Sequence, residues 1–115
     1  MNNSASITYA DFMSVDIRVG TIIQADEFPE ARIPAYKLLI DFGDGVGSKK
    51  SSAQITDNYT TEQLVGKQVL AVVNFPPKQV GPFMSEVLTL GLMATDKTII
   101  LVQPDQAVPN GERLL

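Results

Sequence analysis

Tyr36-Lys37-Leu38-Leu39-Ile40-Asp41-Phe42 is the stretch that decides the fold. Tyr36, Leu38, Ile40 and Phe42 alternate with Lys37, Leu39 and Asp41, the period of two expected of a strand with one buried face. Gly43-Asp44-Gly45-Val46-Gly47 follows as a turn, because Gly and Asp tolerate the backbone angles that a reversal needs. Residues 48–55 return as a more polar strand, so the pair reads as a hairpin. Asp41-Phe42-Gly43 has the letters of a kinase magnesium loop, but 115 residues are too few for a kinase and no glycine-rich phosphate loop accompanies it.

On the N-terminal side, Ile17, Val19 and Ile23 dominate a first strand that Gly20 interrupts, a pattern expected of a bulge or bend that curves a sheet. Residues 1–7 are small and polar and are expected to be flexible. Thr8-Tyr9-Ala10-Asp11 reads as a capping box, which places a short helix over Tyr9–Met13. Downstream, residues 60–66 read as a short helix closed by Gly66, and residues 68–75 as a buried strand halted by Pro76-Pro77. Residues 83–90 and 98–102 give two last strands, and 104–115 form a tail punctuated by Pro and Asn-Gly. The expected class is all-β: a five-stranded Greek-key barrel of the OB type, with a short N-terminal helix and a short helix between strands 3 and 4. Other small barrels share this pattern.

The length suits one domain spanning 1–115, and 44% hydrophobic residues suffice for a core. There are no cysteines and no histidines. Their absence removes disulfides, thiol nucleophiles, Cys/His zinc sites and any triad that needs an imidazole. Asp26, Glu27 and Glu30 cluster beside Pro29, where solvated carboxylates lack the burial that catalysis requires. The expectation is a protein that binds rather than catalyses, with no cofactor. A net charge of −4 works against nonspecific adhesion to nucleic acid. No window is long and apolar enough for a membrane span, and Met1–Ser6 lacks the features of a secretory signal, so the expected location is cytoplasmic, without membrane insertion.

Three segments carry the chemistry of a binding face. Lys49-Lys50-Ser51-Ser52-Ala53-Gln54 joins two charges to hydroxyl and amide donors, and reads either as a groove strand or as a solvated barrel face. Asn74-Phe75-Pro76-Pro77-Lys78 offers a rigid backbone, a ring and a charge: the lip of a groove, or a strand end with Phe75 in the core. Phe83-Met84-Ser85-Glu86-Val87-Leu88 puts Met84, Glu86 and Leu88 on one face and Phe83, Ser85 and Val87 on the other.

In this order and spacing, these segments resemble the tRNA-binding OB-fold domains. Asp16-Ile17-Arg18-Val19-Gly20-Thr21-Ile22, Leu64-Val65-Gly66-Lys67 and Val72-Val73-Asn74-Phe75 are among the matching blocks. Within that superfamily the chain is most similar to the CsaA export-related chaperones, through Glu27-Phe28-Pro29-Glu30-Ala31-Arg32, Lys50-Ser51-Ser52-Ala53-Gln54-Ile55 and Ala71-Val72-Val73-Asn74-Phe75-Pro76-Pro77. The likeness covers about residues 10–115. It implies a homodimer that binds unfolded or presecretory polypeptides, in contact with export machinery, with tRNA on the same face as the alternative partner. It further implies a peptide-binding face of Ser51, Ser52, Gln54, Asn74, Phe75, Phe83, Met84, Ser85 and Glu86, with Phe28 as a further apolar contact. Arg18, Arg32, Lys37, Lys49, Lys50 and Lys78 would form its charged rim. The flanking elements 8–14 and 104–115 would join two copies through Phe12, Met13, Leu114 and Leu115. Where tRNA-binding relatives often carry glycine in a Ser-x-Gly-Met pattern, this chain has Val87, which ranks peptide ahead of RNA.

Overall fold

Tyr36, Leu38 and Ile40 turn inward and are buried, while Lys37, Leu39 and Asp41 lie half-exposed on the other face, in a computed structural model that describes residues 5–115. The stretch is strand β2 (Tyr36–Asp41), between β1 (Ile17–Glu27) and β3 (Ser48–Ala53). β1 serves two neighbours. Its residues 21–27 pair with β2, and its residues 17–21 pair with β4 (Gln68–Val72), all antiparallel. The main sheet runs β3-β2-β1-β4-β7, with β7 at Leu88–Thr89.

The two ends of that sheet come together without a regular ladder. The Glu86 N–H donates to the Lys50 carbonyl at 2.8 Å, and the Ser52 N–H donates to the Ser85 hydroxyl at 3.0 Å. The result is a nearly closed five-stranded barrel around Ile22, Leu38, Ile40, Phe42, Leu64 and Val69. Helix α3 (Thr61–Leu64) lies between β3 and β4, as the OB pattern requires, with a capping box made by Thr60 and Gln63. Its Leu64 is fully buried. Helix α1 (Tyr9–Met13) has the expected capping box, Thr8 with Asp11. Of the N-terminal segment expected to be flexible, residues 1–4 lie outside the described residues, and 5–7 are exposed and without regular structure.

Several expectations need correction. The bulge in β1 falls between Ile22 and Gln24, not at Gly20. Gly20 is required for space instead: a Cβ there would lie 2.6 Å from Ile40 Cγ2 and 2.8 Å from Phe42 Cδ1. Residues 43–47 form a helical turn, α2 (Gly43–Val46), opened by a hydrogen bond from the Gly43 N–H to the Asp41 carboxylate. Residues 83–90 are not one strand. They divide into β6 (Phe83–Ser85) and β7, because Glu86 turns its N–H toward β3. The strand expected over 68–75 ends at Val72, before the prolines. β5 (Lys78–Val80) follows them and pairs with β6, and β8 (Gly91–Met93) pairs with β9 (Ile99–Leu101).

The tail has a defined place. The Gly111 and Leu114 N–H groups donate to the Val19 and Ile17 carbonyls, and the Val19 N–H donates to the Glu112 carbonyl. Residues 111–114 thereby line the part of β1's edge that β2 leaves open. Gln68 and Asn110 pin the approach: Gln68 bonds both the N–H and the carbonyl of Val108, and Asn110 accepts from Thr21 and Gln68. No helix among the described residues is long and apolar enough to cross a membrane.

Candidate functional site

An open cleft of about 1070 Å³ lies where the loop after β1 faces the ends of β3, β5 and β7. Ile33, Val80 and Leu88 make its walls apolar, and Phe75 stands on its lip with 51% of its surface exposed. That placement decides between the two readings of Phe75: the Pro76-Pro77 corner carries the ring outward instead of letting it enter the core. Four charges frame the cleft, Glu30 and Glu86 against Arg32 and Lys78, so its rim is balanced in sign. No ion pair joins these four to one another.

Ser52, Gln54, Phe75, Ser85 and Glu86 of the expected peptide face line this cleft, as do Arg32 and Lys78 of the expected rim. Met84 is exposed on β6 but outside the lining. Ser51 is fully buried, its hydroxyl held between the Val87 carbonyl and the Thr89 hydroxyl, because it shares the inward parity of Leu38 and Ala53. It cannot meet a ligand. Asn74 is committed too. Its amide nitrogen donates to the Ser14 carbonyl at 2.9 Å and its oxygen accepts from the Asp16 N–H at 3.0 Å, tying the entry of β1 to the end of β4. Asn74 is therefore a strut and not a groove floor. Arg18 sits away from the cleft, bonded to Asp16 and the Gly111 carbonyl.

Phe83 and Phe28 pack edge to face at 5.4 Å between centroids, and Phe28 is buried. The Lys37 ammonium lies over Phe28 at 5.5 Å and the Lys50 ammonium over Phe83 at 5.3 Å. Stacking of this kind holds the ammoniums beside the rings. Phe83 is half-buried, and neither ring lines the cleft. Lys49 pairs with Ile40 and Lys50 with Leu39, so the two adjacent lysines belong to opposite faces of β3. Of the expected charged rim, Arg32 and Lys78 reach the cleft, Lys37 and Lys50 lie on the outward face of β2 and β3, Lys49 takes the inward parity of Ser51, and Arg18 stays with Asp16.

Phe12 and Met13 are half-buried, whereas Ile7, Tyr9, Leu114 and Leu115 are exposed. The residues that sequence reasoning missed are Ile33, Val80, Leu88 and Ile99 of the cleft, and the exposed Leu92, Met93 and Ile100 of the β8–β9 hairpin. Leu88, Ile99 and Ile100 fall in stretches expected to be strands, whereas Lys78-Gln79-Val80 is too short to show a period. Among the described residues two titrations are displaced, both outside the cleft lining. Burial, with Glu27 and Glu62 nearby, raises the Tyr36 phenol, which donates to the Tyr59 carbonyl. Hydrogen bonds from the Thr98 hydroxyl and N–H hold Asp96 below the usual carboxylate range.

Two solved structures share this arrangement closely. The chaperone CsaA of Bacillus anthracis is 50% identical, with a TM-score of 0.89 over 96% of this chain and all of that one. The CsaA chaperone protein of Picrophilus torridus is 52% identical, with a TM-score of 0.88 over the same shares. The methionine–tRNA ligase of Porphyromonas gingivalis is 33% identical over 94% of this chain, which spans only 15% of that enzyme's length. The family described as "Putative tRNA binding domain" matches residues 17–113. The chain belongs to the tRNA-binding OB-fold family and, within it, to the CsaA group.

Proposed function

We propose that this protein is an export-related chaperone that holds unfolded or presecretory polypeptides in the cleft, in the cytoplasm, without ATP and without catalysing a reaction. The observation that carries this reading is the cleft itself, with apolar walls, an exposed aromatic lip and a rim of balanced charge. Such a site accepts varied apolar side chains and needs no single sign of charge in its client. The CsaA proteins of similar structure are named as chaperones, which supports the same reading.

The test is suppression of aggregation of a chemically unfolded client. Phe75→Ala and Leu88→Ala remove exposed apolar lining and should leave the fold intact. Each should raise the protein concentration needed for half-suppression about fivefold, in line with about 1 kcal/mol of contact energy. Met84→Ala, outside the lining, should change it little. Undiminished suppression by both lining variants would remove the cleft from the mechanism.

The chaperone works as a homodimer in this reading, joined through the segment 8–14 and the tail, where Leu114 and Leu115 are exposed and Phe12 and Met13 are half-buried. Two linked clefts would raise the avidity for one extended client. Sedimentation at micromolar concentration should show the dimer, and a monomer there would overturn this arrangement.

A second reading, a free-standing tRNA-binding protein, is favoured by the outward face of β2 and β3, where Lys37 and Lys50 stand over an aromatic pair. The family description points the same way. Its mark would be steeply salt-dependent anisotropy of a labelled tRNA, weakened by Lys37→Glu and Lys50→Glu.

A further inference from the structure

We infer that a client segment binds in the cleft as an added strand on the free edge of β3, through the Ser52 carbonyl and the Gln54 N–H. This rests on the peptide-binding reading and specifies how the backbone of the client is held. The direction of the main-chain groups in β3 follows from its neighbours. The Lys50 N–H donates to a Glu86 carboxylate oxygen at 2.9 Å, the Lys50 carbonyl accepts the Glu86 N–H, and the Ser52 N–H donates to the Ser85 hydroxyl. Residues 50 and 52 therefore direct their main chain away from β2, and the ladder with β2 uses 49, 51 and 53. Ala53 is the last residue of β3 and its carbonyl faces β2, so the Gln54 N–H, on the opposite side of the same trans peptide, faces away from β2, and burial goes on alternating from Ser51 through Ile55. The Ser52 carbonyl and the Gln54 main-chain N–H consequently point to the same open edge.

Along that edge the chain covers its own groups only in part. Ser85 and Glu86 occupy the positions opposite 50 and 52, and no hydrogen bond among the described residues reaches the Ser52 carbonyl or the Gln54 N–H. Both residues line the cleft. A carbonyl and an N–H two residues apart on one edge are the pair that one turn of a β-ladder engages, accepting from a client N–H and donating to a client carbonyl. Main-chain bonds of this kind are indifferent to client sequence. The apolar wall opposite, with Val80 and Leu88, then receives every second client side chain. The occupant this fits is an extended, alternately apolar polypeptide with free backbone amides.

The probe is a labelled nine-residue peptide alternating leucine with threonine and ending in lysine, measured by fluorescence anisotropy against the full chain. Two further peptides carry N-methyl groups on all leucines or on all threonines. Methylation on one parity should weaken binding at least tenfold, and methylation on the other should stay within threefold of the parent. On the protein side, Gln54→Pro removes the N–H at a position whose preceding residue is already extended, and should lose at least tenfold, while Gln54→Ala keeps the donor and should lose under threefold. If both methylated peptides bind as the parent does, strand addition is overturned and the side-chain cleft survives. If the parent peptide does not bind at all, the peptide reading falls with it.

Discussion

Phe42→Ala should cost about 3–5 kcal/mol of stability, the largest effect of any single truncation considered for this barrel. Phe42 follows the last residue of β2 and is almost fully buried, with Ile22, Ile40 and Leu64 in the same core cluster. Its main chain matters as well. The Phe42 N–H donates to the Gly47 carbonyl, and a Cβ on Gly111 would lie 2.6 Å from the Phe42 carbonyl oxygen. The ring thus sits where β2, the turn after it and the tail converge, with little freedom for the surroundings to collapse into the space it leaves. Urea unfolding followed by circular dichroism should show a lower midpoint with the slope retained. A loss below 1 kcal/mol would contradict the packing described at that end of the barrel.

Gly20→Ala comes second, with an expected cost of about 1–3 kcal/mol from overpacking. The added methyl would meet Ile40 Cγ2 and the edge of the Phe42 ring well inside contact distance. Neither neighbour is the free end of a flexible exposed chain, since both are buried. The two sites share one volume, so their effects should not add. In a Phe42→Leu background, which opens room beside residue 20, the alanine should cost clearly less than in the parent. Equal costs in both backgrounds would place the strain on Ile40 Cγ2, the nearer of the two contacts.

The residues that were easy to read were those whose signal is local. The alternation of Tyr36 to Phe42, and the Thr8/Asp11 cap that starts α1, are decided within a few positions of chain, and the structure follows them. The helix at 61–64 falls inside the expected 60–66, with Gly66 in the left-handed region just beyond it. What was illegible depends on partners far away in sequence. Ser51 looks like an outward polar residue until its parity against Leu38 and its bonds to Val87 and Thr89 are known. Asn74 looks like a groove amide, but its partners lie 58 and 60 residues earlier. Ile33, Val80 and Leu88 belong to three separate segments, and no periodicity connects them before the barrel closes. The site was legible in part because Ser52, Gln54, Phe75 and Glu86 combine outward parity with chemistry suited to a ligand.

The stitching of the tail to β1 also bears on how the barrel is reached in time. Arg18 and Gly111, joined by a hydrogen bond, are separated by 93 residues. Closing so long a loop is entropically costly and yields its contacts only once the rest of the sheet stands. Until residues 111–114 arrive, the first turns of β1 offer unpaired N–H and carbonyl groups to any neighbouring chain. Refolding at high protein concentration is therefore the condition under which this domain is most exposed to exchanging tails between copies, and dilution during refolding is the natural safeguard.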